Sequence, residues 1–245
     1  MKRYLIVNAD DFGQSSGVNQ GIITAHEQGI VTSASLMVRW PTAVEAAAYG
    51  QAHPELSLGL HLDLGEWAYR NGSWVSLYEV VDLGDPGAVA SEIAGQLAQF
   101  CHLVGQAPTH IDSHQHVHRA EPVRSMVIEL ARQLNVPLRH FSATVRYCGN
   151  FYGQMGTGEP LPAATSVAGL CKILRTLPPG VSELGCHPGL ADDMDSMYRA
   201  ERSVEVRTLC DPRIRAALTT ENIQLDSFLM GEAKTAMMCH PAAVG

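Results

Sequence analysis

The stretch Leu5-Ile6-Val7-Asn8-Ala9-Asp10-Asp11-Phe12-Gly13 carries an apolar run directly into two adjacent carboxylates. Leu5-Ile6-Val7 has the composition of a buried strand, which puts both acids at its C-terminal end. Burying ionised carboxylates is unfavourable unless something of opposite charge waits for them, and a metal ion is the commonest such partner. A helix N-cap would account for one aspartate, since Ser15-Ser16 follow, but a cap needs only one residue.

Working outward, short apolar runs alternate with helical patterns. Tyr4–Asn8, Thr32–Val38, Leu56–Leu62, Thr109–His114, Pro137–Phe141, Val181–Cys186 and Ile223–Phe228 read as strands. Helical patterns follow from Ser16 as cap to an end at Gly29, and over Pro41–Ala52, Ala88–Leu103, Pro122–Leu134, Ser166–Leu177 and Ser203–Leu218. Strands of this length separated by helices imply a parallel sheet with right-handed crossovers. About seven such units suggest a distorted or incomplete (β/α) barrel as a single domain over residues 1–245. Gly65–Gly84, with Trp67, Tyr69 and Trp74, and Tyr147–Ala164, with Phe151 and Tyr152, read as long loops over the barrel mouth. Beyond Met230 no pattern is visible, so a poorly ordered tail is expected.

The 245 residues are 46% hydrophobic and 17% charged, which excludes a disordered chain. A formal net charge of −8 argues against nucleic acid or an anionic membrane as partner. No run has transmembrane length, and Met1-Lys2-Arg3 passes into a strand without a signal-peptide pattern. Cys101, Cys148, Cys171, Cys186, Cys210 and Cys239 are widely spaced, with no C-x-x-C pair. Reduced thiols in a cytoplasmic protein are therefore expected.

Asp10, Asp11, His61, His114 and His187 all fall at or just past the C-terminal end of an expected strand. In a parallel barrel those ends share one face, where active sites form. His61, within Leu58-Gly59-Leu60-His61-Leu62, would alone read as a core residue; the company it keeps makes it a candidate ligand. In His110-Ile111-Asp112-Ser113-His114-Gln115-His116-Val117-His118 the even positions share strand parity, so only a few can reach one ion. His110 and His114 have the i, i+4 spacing of a helical metal pair. Pro108, Thr109 and Ile111 favour a strand instead, and the Glu of H-E-x-x-H is absent. Some of these histidines must support others or serve structure, and His118 is the first to set aside.

These residues together resemble the YdjC-like family of carbohydrate deacetylases, of which the chitooligosaccharide deacetylases are the best-known type. The matching stretches are residues 5–13, Gly21-Ile22-Ile23, Gly29-Ile30-Val31-Thr32-Ser33, Gly59-Leu60-His61, residues 108–118 and Cys186-His187-Pro188. The resemblance implies a barrel related to the polysaccharide deacetylases that binds one divalent ion, with Mg or Zn leading. It implies Asp11, His61 and His114 as ligands, Asp10 as general base and His187 as general acid. Asp112, His110, His116, Arg139 and Trp67 are then expected to support the ligands or meet the substrate, with Asp112 orienting a histidine. Trp67, Tyr69, Trp74 and Tyr152 are candidates to stack on a sugar ring. Arg119-Ala120-Glu121-Pro122 and the segment around Asn71-Gly72 depart from the chitooligosaccharide members, which leaves the sugar open.

The expected function is metal-dependent removal of the acetyl group from an N-acetylated sugar or oligosaccharide, with that carbohydrate as partner and a homodimer left open. The alternatives are a metal-dependent phosphoesterase or sugar isomerase, or a non-enzymatic sugar-binding protein. Phosphoryl chemistry would want several basic side chains, and only Arg119, Arg139 and Arg146 are suitably placed, without a Gly-rich phosphate loop. A pure binding protein would be favoured by loss of Asp10 or His187, and both are present.

Overall fold

The computed structural model describes residues 2–229 except 191, 192, 194 and 195, so the expected tail and Cys239 lie outside the described residues. Its elements in chain order begin β1 (Arg3–Phe12), α1 (Ser16–Glu27), β2 (Ser33–Leu36), α2 (Ala43–Ala52), β3 (Ser57–Leu62), β4 (Gly65–Arg70), β5 (Ser73–Glu79) and α3 (Pro86–Val104). Next come β6 (Ile111–Ser113), a 3-10 segment (His114–Arg119), α4 (Val123–Leu134), β7 (Val145–Cys148) and α5 (Val167–Thr176). The series closes with β8 (Gly180–Cys186), α6 (Arg199–Leu209), α7 (Pro212–Thr220) and β9 (Ile223–Asp226).

Seven parallel strands form one curled sheet in the order β6-β3-β2-β1-β8-β7, with β9 pairing the first half of β1. This is the incomplete (β/α) barrel expected from the alternation of strands and helices. Along β1 the side chains of one parity, Leu5, Val7 and Ala9, join the main core under the helices. Those of the other parity, Tyr4 and Ile6, pack with Val145, Val181 and Phe228 as an apolar floor inside the barrel. Asn8 and Asp10 continue that inner face upward, so the interior changes from apolar to charged toward the strand ends.

Several boundaries differ from the sequence reading. The cap of α1 is Ser15, whose Oγ accepts from the Val18 N–H, and the helix stops at Glu27. Gly65–Gly84 is a β4–β5 hairpin turned at Asn71 and Gly72, both at positive φ (54° and 84°), as an Asn-Gly hairpin turn requires. The outer strand of that hairpin is largely exposed, so it lacks the apolar alternation that marks a strand. Pro137–Phe141 forms only a single bridge, Leu138 to Ile111, before His140 turns the chain away at φ 69°. The strand lies further on as β7, whose last two residues fall within the stretch that reads as loop. Ser203–Leu218 is two helices, because Pro212 cannot continue α6 and instead starts α7 under an Asp211 cap.

Candidate active site

Asp10 and Asp11 are neighbours, and in a regular strand their side chains would point to opposite faces. Between Ala9 and Phe12 the register of β1 against β2 slips by a bulge, and Asp11 adopts φ 68°. Both carboxylates therefore reach the barrel mouth, and both line one cavity of 520 Å³.

Asp11 is buried at the centre of a polar cluster. Its Oδ1 lies 3.0 Å from His114 Nδ1 and 3.2 Å from His61 Nε2, while Oδ2 accepts from Arg202 Nη2 at 2.6 Å. One donor atom from each of Asp11, His61 and His114 falls within 4.8 Å of the others. Nε2 of His61 and Nε2 of His114 are buried and make no hydrogen bond. A carboxylate and two imidazoles with unsatisfied buried nitrogens fit a divalent ion.

The electrostatics agree with that fit. Burial presses the His61 imidazolium to give up its proton, but Asp112 and Asp11 outweigh it and lift His61 to about 10. His114 is likewise lifted to about 9, against burial, by Asp11 and Glu66. Burial works to raise Asp11, yet Arg202 and His114 hold it well below the usual carboxylate range. The pocket holds enough negative charge to keep protons on two buried imidazoles, and a cation would answer the same charge.

Beneath the cluster, His61 and Asp112 are register partners on β3 and β6, and His61 Nδ1 donates to Asp112 Oδ1 at 2.8 Å. Arg139, fully buried, is the hub of the layer. It grips Asp10 at two points, donates to Glu183, and reaches Asp112 Oδ2 at 2.7 Å, with Tyr147 stacked over its guanidinium. Burial raises Asp10, but the Arg139 charge overrides it and holds this acid below its ordinary value.

His187 follows β8. Its Nε2 lies 3.8 Å from Asp10 Oδ2, and its ring stands edge-on to Tyr152 and Tyr198. Burial lowers its pKa to about 4 against the pull of Asp10 and Asp11, so the imidazole is neutral at physiological pH.

The other sequence candidates divide by position. Trp67, Trp74, Tyr152 and His116 line the cavity with Asp10, Asp11, His61, His114 and His187, whereas Tyr69 does not. His110 is not at the cavity: it stacks on Phe228 at 4.0 Å beneath Gly59, where a Cβ would collide with its ring. His118 is a brace, bonding Ser113 Oγ and the Arg139 carbonyl. The strand parity of the histidine cluster ends at His114, because Gln115 and His116 take left-handed conformations.

Arg202, Glu66, Glu183 and Glu205 belong to this network and escaped the sequence reading. Glu183, an acid inside an apolar strand, carried a readable signal, since such a charge needs a partner. Arg202 and Glu205 sit on an amphipathic helix far from any motif, with no local signal.

A family 4 carbohydrate esterase from Streptomyces lividans, solved with acetate, shares the fold with a TM-score of 0.51 at 11% identity, over 94% of this chain and 96% of that one. The chain belongs to the YdjC-like protein family, which matches residues 4–220. A carbohydrate deacetylase from Geobacillus stearothermophilus is 34% identical over 93% of this chain and 98% of its own length. A chitooligosaccharide deacetylase from Klebsiella pneumoniae is 33% identical over 93% and 99%. A crystal structure from Enterococcus faecalis, named provisionally for cellobiose-phosphate cleavage, superposes with a TM-score of 0.76 at 26% identity over 94% of this chain and 98% of that one.

Proposed function

We propose that the chain is a carbohydrate N-deacetylase that holds one divalent ion on Asp11, His61 and His114, hydrolysing the acetamide of an N-acetylated sugar. The observation that carries this reading is the convergence of those three side chains beside Asp10 and His187 in one cavity. The names carried by the relatives at 33–34% identity support the substrate class. Mg or Zn suits the donor set, and the free thiols among the described residues suit the cytoplasm.

A bound ion at this site supplies a water of lowered pKa and polarises the acetyl carbonyl. Asp10, ionised under the Arg139 grip, accepts the proton of the attacking water on Oδ2. His187 Nε2 protonates the departing sugar amine, which cannot leave as an anion. The imidazole is neutral at rest, so its proton must arrive during turnover, and Asp10 Oδ2 at 3.8 Å is placed to deliver it. Asp112 fixes the tautomer of His61, leaving Nε2 free to act as a ligand. Trp67, Trp74 and Tyr152 offer apolar faces to a pyranose ring.

The test is acetate release from a panel of N-acetylated mono- and oligosaccharides, after chelation and with single divalent ions restored. Release that depends on an added ion is expected. No acetate from any member, or release indifferent to chelation, would reject the reading.

A further inference from the structure

The His187 ring reaches the mouth without the support that usually orients such a group. Its Nδ1 is buried and makes no hydrogen bond, so no side-chain partner fixes the ring through that atom. Its position is set instead by its own backbone and by the two tyrosine rings against it.

Both supports lead to Glu205 on α6. This buried side chain accepts the His187 N–H on Oε2 at 2.5 Å, and its Oε1 accepts the Tyr198 O–H at 2.5 Å. Tyr198 stacks on Tyr152 with ring centroids 4.3 Å apart and accepts the Gly153 N–H at 2.6 Å. One turn away on the same helix, Arg202 Nη1 donates to the His187 carbonyl at 3.4 Å, and the Gly189 N–H reaches the Arg202 carbonyl. The His187 peptide is thus gripped on both sides by residues three apart on α6, and the tyrosine that flanks its ring hangs from the same glutamate.

We propose that Glu205 is a positioning residue for His187, holding the imidazole over Asp10 through the His187 amide and through Tyr198. The proposal rests on the deacetylase reading, in which His187 protonates the leaving amine. A buried carboxyl with two neutral donors makes no contact with the cavity, so it acts only through His187 and Tyr198. Displacing a reacting group by about 1 Å can cost on the order of 10²-fold in rate.

The test compares kcat on an N-acetyl sugar with kcat on 4-nitrophenyl acetate, whose leaving group needs no proton. The full-length variants are Glu205→Met, which keeps volume but accepts nothing, Glu205→Gln, which keeps an acceptor, and His187→Ala as reference. Glu205→Met should lose on the order of 10²-fold on the amide and far less on the ester, with bound metal unchanged by elemental analysis. Glu205→Gln should restore most of the amide activity. Equal losses on both substrates for Glu205→Met, with His187→Ala still selective, overturn the positioning role alone. If His187→Ala is itself unselective, the acid assignment fails and takes this proposal with it. Should Glu205→Met not fold, Tyr198→Phe decides: it keeps the stacked ring, removes the donor to Glu205, and should show the same selective loss, a uniform loss counting against the proposal.

Discussion

Arg139 and Asp10 are joined at two points, Nη1 to Oδ2 at 2.6 Å and Nη2 to Oδ1 at 2.8 Å, in a layer from which solvent is excluded. The same guanidinium reaches Asp112 at 2.7 Å and Glu183 at 2.6 Å, so one cation serves three buried carboxyl groups, of which burial lifts Glu183 to about 7 against the Arg139 charge. Arg139→Ala would leave Asp10 buried without its cation, a change that costs about 3–5 kcal/mol when one partner of a buried pair is removed. Urea denaturation should show a loss of that order. A loss under about 1 kcal/mol would mean that the three acids find other partners or take up protons cheaply.

Asp10 and Asp11 are adjacent but serve different neighbours, Arg139 in one case and the two imidazoles in the other. Asp10→Asn should therefore keep its metal and lose on the order of 10²–10⁴ in turnover, the usual contribution of a positioned base. Asp11→Asn should lose the metal as well. Elemental analysis of the two variants separates the roles: an Asp10→Asn protein without metal would make Asp10 a ligand.

The parts of this site that could be read in the sequence are those whose chemistry contradicts their surroundings. Asp10 and Asp11 close an apolar strand, and His61 interrupts another, so each demanded a partner. The parts that could not be read depend on distant geometry. Arg202 and Glu205 look like ordinary charges on a surface helix until α6 is packed against α1 and the segment that follows β8. The hairpin bearing Trp67 was hidden because its outer strand faces solvent and carries no alternation, although Asn71-Gly72 announced the turn. His116 was given strand parity that its left-handed backbone does not keep. Six of the seven parallel strands were legible because burial on both faces imposes continuous apolar runs, whereas β7 was not, its place being read at Pro137–Phe141.

The charge of the pocket makes metal binding a competition with protons. With folded values of about 10 for His61 and about 9 for His114, both above the ordinary 6.5, the ion-free protein holds two imidazolium groups at neutral pH. Their contribution to the stability of that form is complete below pH 6.5 and is lost as pH rises through 9–10. An incoming cation must displace these protons, so its apparent affinity should increase with pH across the neutral range. Calorimetric titration in buffers of different ionisation enthalpy should find proton release approaching two per ion. Binding without proton release, or affinity that falls with pH, would remove the two histidines from the ligand set.

Gln115 ties the hairpin to the candidate ligand beside it. Its side chain accepts the Trp67 N–H at 3.0 Å and donates to the Trp67 carbonyl at 2.8 Å, pairing with that residue as a neighbouring strand would. The left-handed backbone at Gln115 directs the amide there immediately after His114, and Glu66, next to Trp67, approaches His114 Nε2 at 3.7 Å. Gln115→Ala removes both bonds and one cavity-lining side chain while leaving His114 itself in place. Losing about 1–2 kcal/mol of this anchorage should raise KM for an N-acetylated oligosaccharide roughly 5–30-fold, because Trp67 and Trp74 no longer stand ready for the sugar. Turnover at saturation should change little, since a contact made equally in the ground and transition states leaves kcat unaltered. A fall in kcat as large as the rise in KM, or a loss of bound metal, would instead show that Gln115 acts by holding His114.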